Sequence, residues 1–323
     1  MYLCNGSISK NYCTFVIIKI NRIIMGFARK YLLPLFVPLL FIFFLPLLRY
    51  KILSREKTIE RIIQNKCSVI RFGDGELDIM LGGRGPNFQN ATIELRRRLI
   101  NIARSDSNNV VICIPGILSW NAIAHQLNQP ALSFWRGFVV LRFFSIRTFF
   151  SADREYGDAF ISRPYMDFTS LEKKKCKLFF EKTRQIWDNR EVLLVEGALT
   201  RFGVGNDLLQ NAASVSRILI PPKDAFDKYS KIYSAILKHH KGELILIAGG
   251  PIAKVLVSDL SCLNIQAVDI GHLDIEYEWF LRGANRKVPI PGKYTNEATT
   301  AYVDSVGGEK FKKYLSEIIC QIQ

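Results

Sequence analysis

The sequence lacks the paired cysteines that mark disulfide scaffolds and thiolate metal sites. Its seven cysteines are odd in number, scattered along the chain and never spaced as C-x-x-C. Several lie within apolar runs, where cysteine behaves as a small hydrophobic residue. The pattern argues against a disulfide-stabilised fold and against a cysteine-ligated zinc site, and it favours a reducing compartment.

The chain also lacks an arginine-rich helix, a repeat of alternating aromatic and basic residues, an internal repeat and a low-complexity linker. The net charge of the 323 residues is nevertheless +15. Residues 1–57 hold nine basic residues and one acidic residue, whereas the remainder holds 35 basic and 28 acidic residues. Basic flanks around an apolar segment suit anionic lipid headgroups. We therefore predict a membrane partner and no nucleic-acid partner.

No charged residue occurs between Lys30 and Arg49, and residues 31–48 are almost wholly apolar. As a helix, these 18 residues would span about 27 Å, which is near the thickness of the bilayer hydrocarbon. Three prolines would kink or break that helix: Pro34, Pro38 and Pro46. A short, bent or re-entrant membrane segment is therefore predicted as readily as a straight span, and a buried core helix is the alternative. No small-residue cleavage site follows, so a signal peptide is not indicated.

Beyond residue 50 the sequence alternates short apolar runs with helical patterns, which is typical of βαβ units and a largely parallel sheet. The predicted strands are 67–72, 109–115, 138–144, 191–196, 217–221, 243–248 and 265–271. The predicted helices are 55–65, 91–104, 119–128, 170–187, 206–214, 225–240 and 251–260. We predict an N-terminal extension with a membrane segment over residues 1–50 and one α/β domain over residues 51–323, with a small lid near 130–165.

Residues 71–76 read Arg-Phe-Gly-Asp-Gly-Glu and follow a predicted buried strand. Gly73 and Gly75 would let a ligand approach the backbone closely. Asp74 and Glu76 could turn their oxygens toward one divalent cation, at the strand end where open α/β sheets bind ligands. An ordinary turn is the alternative, because Asp-Gly-Glu also suits one.

Two glycine-rich turns each follow an apolar run and precede a predicted helix, an arrangement that offers free N–H groups to phosphate. The first spans residues 196–207 and holds Arg201, Asn206 and Asp207. The second holds Gly249 and Gly250, with Pro251 suited to the first helical position. The first is not a Walker A loop, and a tight turn with an Asn or Asp cap is its alternative. Simple helix initiation after a buried strand is the alternative for the second.

Residues 268–279 form a cluster of acids around one histidine, His272. Asp274, Glu276 and Glu278 fall at period two, so an extended chain would place them on one face. Such acids require a cation, a basic partner or solvent. Arg163 and Lys293 supply cations in predicted loops, either as solvated surface charges or as anchors for a diphosphate or sugar.

These segments, in this order, resemble the bacterial glycosyltransferases of the GT-D fold class over residues 55–300. The resemblance rests on Arg71–Glu76, Arg163–Phe168, Glu196–Asp207, Asp269–Trp279 and Lys293–Glu297. It implies a Rossmann-like domain that binds a nucleotide sugar, typically a UDP-sugar, together with Mn²⁺ or Mg²⁺. The family's D-X-E element falls on Asp74 and Glu76.

The resemblance assigns metal contacts to Asp74 and Glu76, a metal or diphosphate contact to His272, and the catalytic base to Glu278, with Asp274 and Glu276 as rivals. Donor contacts are expected from a wider set: Arg71, Gly73, Arg163, Arg201, Asn206, Asp207, Gly249, Gly250 and Lys293. Ile252 departs from the family pattern, because it supplies no hydroxyl after the proline.

The sequence thus predicts a metal-dependent glycosyltransferase at the cytoplasmic face of a membrane. It would use a UDP-sugar and a surface glycan, a lipid-linked saccharide or a glycoprotein as acceptor. A metal-dependent phosphohydrolase of sugar nucleotides and a non-catalytic nucleotide-binding membrane protein are the alternatives.

Overall fold

A parallel sheet carries the fold, and it has nine strands in the part of the chain that the structure describes. The computed structural model describes residues 33–48, 50–106, 109–119, 126–295, 297 and 309–323. Within them, every pair of neighbouring strands is parallel, and the strand order is β1-β4-β3-β2-β8-β7-β5-β6-β9. The strands are β1 (Lys51–Ile52), β2 (Ser68–Arg71), β3 (Val110–Ile114), β4 (Glu155–Asp158), β5 (Glu191–Gly197), β6 (Ser214–Ile220), β7 (Leu244–Ala248), β8 (Ala267–Asp269) and β9 (Ile318–Gln321). The prediction of a largely parallel α/β sheet is confirmed.

Helices cover the sheet and leave its central strands buried. They are α1 (Leu33–Phe44), α2 (Arg55–Asn65), α3 (Asp74–Met80), α4 (Ile93–Arg104), α5 (Gln129–Phe149), α6 (Ser170–Lys173), α7 (Cys176–Arg184), α8 (Tyr229–His239), α9 (Pro251–Ser261), α10 (Leu273–Leu281) and α11 (Glu309–Glu317). Local chemistry fixes several of their starts. Thr92 caps α4, Asn128 caps α5, and Pro251 occupies the first turn of α9.

The order of the strands creates a switch point in the middle of the sheet. From β2 the chain proceeds through β3 and β4 toward one edge, whereas β8, on the other side of β2, belongs to the half that holds β5 to β7. Loops that leave β2 and β8 therefore diverge at their carboxyl ends. Crevices of this kind are where open α/β sheets bind their ligands.

The apolar segment predicted over residues 31–48 forms α1 and a 3-10 turn at Leu45–Leu47. Pro38 lies inside α1, and the α-helix ends two residues before Pro46. Among the residues that the structure describes, no helix combines the length and the apolar character required to cross a bilayer. Residues 1–32 of the predicted extension lie outside the described residues.

Two predicted elements are wrong. Residues 138–144 lie within α5 instead of a strand, because a buried helix and a buried strand share the same apolar run. Residues 206–213 form turns before β6 instead of a helix. Residues 120–125 of the predicted helix 119–128 lie outside the described residues, so that helix stays a prediction. The segment predicted as a lid is α5, β4 and a 3-10 turn at Ala159–Ser162, and it connects strands of the sheet.

Candidate active site

A cavity of about 180 Å³ opens at the carboxyl ends of β2, β5, β7 and β8, at the switch point of the sheet. The turns that leave these strands supply most of its walls. Its lining includes Arg71, Gly73, Asp74, Glu76, Phe88, Arg163, Gly197, Thr200, Gly249, Gly250, Lys254, Gly271, His272, Asp274 and Tyr294. Residues from segments more than 200 positions apart therefore meet in one crevice.

Lys254, on α9, forms the cationic floor of the cavity. Its ammonium lies 2.9 Å from Glu76 Oε1 and 3.0 Å from Asp269 Oδ2, and all three side chains are buried. Glu76 also accepts a hydrogen bond from the Gly73 N–H at 2.9 Å. The structure therefore pairs Glu76 with a lysine, where the sequence predicted that it would bind a metal beside Asp74.

Arg71 extends the same buried network from the end of β2. Its guanidinium donates to the Asp269 carbonyl and to Asp269 Oδ1, each at 2.8 Å, and to the Ser162 hydroxyl. A Cβ on Gly271 would lie 1.8 Å from Arg71 Nη2, and the φ of Gly271 is +43°, so only glycine fits there. Arg71 lines the cavity, but these contacts already engage its donors.

Asp74 is the first residue of α3, and its side chain is exposed to the cavity. The surrounding walls desolvate the carboxylate and raise its pKa, and the charge of Glu76 acts in the same direction against that of Arg163. A positive ligand in the cavity would stabilise the charged form of this carboxylate.

His272 contributes a neutral imidazole to the same wall. Its Nε2 atom is buried and has no hydrogen-bond partner among the described residues. Burial lowers the pKa of His272 to about 3, and the neighbouring Arg163 adds to this effect. The ring is therefore uncharged near neutral pH and can donate its lone pair or its proton to a ligand.

The residues predicted as metal ligands fit a metal ion only in part. The described part of the chain holds no group of three His, Cys, Asp or Glu side chains arranged around one point. Asp74 is open to the cavity, whereas Glu76 is paired with Lys254. Magnesium sites commonly use one or two protein carboxylates and complete their shell with substrate phosphates and water. Asp74 fits that role.

Arg163 faces the cavity from the loop after β4 and forms an ion pair with Glu297. Lys287 holds the same carboxylate, with Nζ 2.5 Å from Glu297 Oε2. Burial alone would raise the pKa of Glu297, but Arg163 and its neighbours hold it well below the usual range. Glu297 therefore orients a cation at the cavity wall.

The turn at Gly249 and Gly250 brings backbone against the cavity where α9 begins. The φ of Gly250 is +65°, and a Cβ there would lie 2.5 Å from the ring of Phe88. The N–H groups at a helix start can bind an anion, but here Pro251 has no N–H and the Ala253 N–H donates to the Gly250 carbonyl at 3.1 Å, so Gly250 and Ile252 supply the amides of this turn. The structure thus places this predicted turn in the site.

The predicted face of three acids is wrong in its geometry. Residues 273–281 form α10, so Asp274 and Glu278 share one side of a helix while Glu276 points elsewhere. Asp274 lines the cavity, whereas Glu276 and Glu278 are not among its lining residues. All three carboxylates are buried.

A second buried network holds the two acids that α10 brings together. Lys293 Nζ lies 2.6 Å from Asp274 Oδ2 and 3.2 Å from Glu278 Oε1. Asn206 donates to both carboxylates, at 2.8 and 2.7 Å. These contacts therefore stabilise the cavity wall from behind. The wall's surface does not include Lys293, Asn206 or Glu278.

Two residues predicted at the donor site point elsewhere. Arg201 donates to the Gly292 carbonyl at 2.8 Å, and its guanidinium lies 5.2 Å from the ring centre of Phe311. Asp207 accepts from the Tyr277 hydroxyl at 2.7 Å and pairs with Arg184. Neither is among the residues that line the cavity.

Glu276 holds the loop that carries Arg163, because its Oε2 accepts from the N–H groups of Tyr165 and Met166 at 2.9 and 2.8 Å. Burial raises the pKa of Glu276 from 4.5 to about 7, and Asp167 adds to the effect. Between these values the native state retains a proton that the unfolded chain has lost. The contribution of Glu276 to stability therefore falls as pH rises through this window.

We expect Glu276→Gln, which does not titrate, to gain stability relative to the wild type as pH rises from about 4.5 to 7. The gain should be on the order of 1–3 kcal/mol, measured by urea unfolding at a series of pH values. Glu94→Gln, at an exposed position on α4, is the control. Parallel pH profiles for Glu276→Gln and the wild type would show that Glu276 titrates normally.

Sequence reasoning missed several residues of the site, among them Phe88, Thr200, Lys254 and Tyr294. Lys254 had a signal, since it is the one basic residue of the otherwise largely apolar α9. Tyr294 lies beside the predicted Lys293. Phe88 belongs to an irregular loop whose sequence has no periodic pattern.

A second, larger cavity of about 930 Å³ lies where β3 and β4 begin, at the opposite edge of the sheet. Its lining includes four arginines, of which Arg61 pairs with Glu155 and Arg104 binds the Thr148 carbonyl. It contains none of the predicted site residues. We assign the functional site to the smaller cavity, because the carboxyl ends of the strands and the glycine turn converge there.

Comparison with protein families matches residues 69–298 to the glycosyltransferase GT-D fold family. A probable glycosyl transferase Gly of Streptococcus gordonii is 37% identical over 247 residues, which cover 76% of this chain and 35% of the relative. Glycosyltransferase GlyD of Streptococcus pneumoniae is 37% identical over 243 residues, which cover 75% of this chain and 29% of the relative. The chain therefore spans about a third of the length of these curated relatives.

Solved structures of glycosyltransferase-fold proteins are also similar to this chain. A structure of the domain of unknown function 1792, described as having a distinct glycosyltransferase fold, superposes with a TM-score of 0.79 at 36% identity, covering 86% of this chain and 98% of that one. A structure described as a new glycosyltransferase from Streptococcus sanguinis gives a TM-score of 0.77 at 33% identity, covering 85% and 100%. The cavity described above lies within the matched residues.

Proposed function

Because the chain belongs to the glycosyltransferase family of the GT-D fold, whose members transfer sugars, we propose that it moves a sugar from a nucleotide sugar, a UDP-sugar by preference, to a saccharide acceptor. The observation that carries this proposal is the cavity at the switch point. There an open carboxylate, an arginine and the glycine turn before α9 face one another. Such a set suits a diphosphate that must be bound and then released.

The donor would lie with its diphosphate against Gly249, Gly250 and the first turn of α9. Arg163, oriented by Glu297, supplies a cation to the same phosphates. Phe88 and Tyr294 offer ring surfaces for the base or the sugar. Lys254 is held by two carboxylates and supports the floor, so it is not a donor contact in this arrangement.

We propose Mn²⁺ or Mg²⁺ as the cofactor, with Asp74 as its protein carboxylate and His272 as a neutral nitrogen in the wall of the same cavity. Such an ion supplies neutralisation of the charge that develops on the leaving diphosphate. Asp74 would be the residue that aligns the phosphates, and Arg163 would share the neutralisation. Burial of His272 keeps its ring uncharged, so it adds no positive charge of its own.

The catalytic base stays a prediction. Of the three acids proposed for it, Asp274 lines the cavity, but Lys293, Asn206 and the Gly203 N–H bind its two oxygens. These three donors occupy lone pairs of the carboxylate that an incoming proton would need. We therefore propose a structural role for Asp274 and Glu278, which stabilise the cavity wall. Lys293 and Asn206 bind both carboxylates and hold them in position.

The acceptor proposed is a growing surface glycan, a lipid-linked saccharide or a glycoprotein at the cytoplasmic face of a membrane. Nucleotide sugars are made in the cytoplasm, so the donor cavity must open there. The apolar segment of residues 31–48 supports a membrane-proximal acceptor.

The proposal is tested by calorimetry of UDP binding to the full chain, with and without Mn²⁺. We expect binding that Mn²⁺ strengthens, and at least about tenfold weaker binding for Gly250→Ala, because the new Cβ would push Phe88 into the cavity. Gly283→Ala is the control, since Gly283 also has a positive φ, of +58°, but no atom lies within 4 Å of its Cβ position.

Equal UDP affinity in both glycine variants would place the donor elsewhere. Release of UDP from a UDP-sugar at a rate that no acceptor changes would favour the phosphohydrolase. UDP binding without turnover on any panel of donors and acceptors would favour the non-catalytic alternative.

A further inference from the structure

Helices α1 and α5 form one layer on the side of the domain. The ring of Phe44 stacks on that of Phe143 with 4.3 Å between centroids and 11° between planes. Val37 and Phe41 of α1 are buried, and so is Leu48 beyond it. One side of α1 is therefore packed against the protein.

The other side of this layer is apolar and exposed. Phe43 is 68% exposed, and Phe144, on α5, is 76% exposed. We refer to the following nine side chains as the apolar face: Phe36, Leu39, Leu40, Ile42, Phe43, Leu47, Phe134, Leu141 and Phe144. They are nine of the seventeen large apolar side chains that are exposed in the described part of the chain. Scattered exposed residues are ordinary, but a concentration on two adjoining helices marks an interaction surface.

The charged residues of the layer formed by α1 and α5 are all basic. Helix α1 has no charged residue, and α5 has three arginines and no acid. Arg142 lies 4.3 Å from the ring centre of Phe138, and Arg147 lies 5.8 Å from that of Phe143. Residues 1–30 add five basic residues and no acidic one. Apolar and aromatic side chains beside basic residues are what an anionic lipid surface binds.

A second copy of the chain suits this face poorly. A two-fold contact would bring the arginines of one α5 toward those of the other, with no acid on either helix to pair with them. Arg142 already pairs with Asp78 of α3 at 3.4 Å. An anionic headgroup layer can pair with the exposed Arg147 and with the basic residues of 1–30, while its acyl chains cover the phenylalanines and leucines. The charge pattern therefore favours an anionic membrane over a second copy of the chain.

We propose that α1, the turn at Leu45–Leu47 and the outer side of α5 lie together in the interfacial layer of an anionic membrane. The proposed membrane surface extends beyond residues 31–48, because α5, a helix of the α/β domain itself, supplies Phe134, Leu141 and Phe144. The proposal does not rest on the donor chemistry, because lipid binding is measured without nucleotide.

The position of α5 relates this face to the active site. The residues before α5 bind the loop after β4, since Asn128 N–H donates to the Asp167 carbonyl at 3.0 Å and Thr169 N–H donates to the Gln126 carbonyl at 2.8 Å. Arg163, in that loop, faces the cavity. Helix α5 thus begins beside the active-site loop, and a membrane on its outer side would hold a lipid-linked acceptor near the cavity.

The test is co-sedimentation of the full chain with vesicles of phosphatidylcholine, with and without phosphatidylglycerol. We expect binding that requires phosphatidylglycerol, and Leu141→Asp/Phe144→Asp should bind at least about tenfold more weakly, because two apolar contacts are lost and two anions are added. Leu178→Asp/Leu237→Asp, on α7 and α8, is the matched control, and Leu178 is 70% exposed. It should bind as the wild type does.

UDP affinity of the α5 variant should be unchanged, which separates loss of lipid binding from misfolding and from failure of the donor proposal. Wild-type vesicle binding by the α5 variant would overturn the proposal, because α1 and the preceding residues would then suffice. Loss, in the α5 variant, of a dimer that the wild type forms without lipid would also overturn it, because a second copy would then be the occupant.

Discussion

Replacing Lys254 by Met is expected to destabilise the protein by about 3–5 kcal/mol, the usual cost of removing one partner from a buried ion pair. Glu76 would lose its only ionic partner among the described residues, and Asp269 would keep Arg71 alone. Both carboxylates are largely buried, so water from the cavity would replace the ammonium only in part. The free energy of unfolding in urea, measured near neutral pH, is the quantity to compare.

Lys231→Met provides the control, because Lys231 is exposed on α8 and should change stability by no more than about 0.5 kcal/mol. Adding Glu76→Gln to Lys254→Met should recover part of the loss, because it removes the carboxylate left without a partner. If Lys254→Met and Lys231→Met cost the same, the ion pairs at the floor of the cavity do not contribute to stability.

Replacing Asp74 by Asn is expected to lower the rate of sugar transfer at least about 100-fold, because it removes the carboxylate proposed to hold the metal and align the diphosphate. The side chain is exposed to the cavity and its pKa is raised by desolvation, so the substitution should leave the fold intact or slightly stabilise it. Turnover is measured with a UDP-sugar that supports transfer by the wild type, over a range of Mn²⁺ concentrations.

Glu278→Gln separates a bracing role from a catalytic one. Because Lys293, Asn206 and Arg282 bind Glu278 behind the cavity wall, we expect lower stability and a change in kcat of less than about tenfold. A catalytic base would instead lose about 10²–10⁴ in kcat. A loss of that size at Glu278, with full activity in Asp74→Asn, would reverse the roles assigned here.

The sequence predicted the parallel sheet correctly because its buried strands are short, β-branched and bounded by turns. It failed where an apolar run had no such bounds. Residues 138–144 have the composition of a strand, yet they continue a helix that Asn128 caps and that runs for 21 residues. Residues 274–278 alternate acid with apolar or aromatic residues, yet they form α10. Asp274 and Glu278 lie on one side of that helix, and both pair with Lys293.

The chain by itself determined which strand ends carry chemistry. Arg71 to Glu76, Gly249, Gly250 and His272 all follow apolar strand-like runs, and parallel strands bring such residues to one edge. Only the tertiary structure decided which charges face the cavity and which pair with one another. Glu76 and Asp74 are two positions apart at the start of a short helix, so one side chain turns inward to Lys254 while the other stays exposed. That choice depends on a lysine 178 positions further along the chain, which no local pattern around the two acids could reveal.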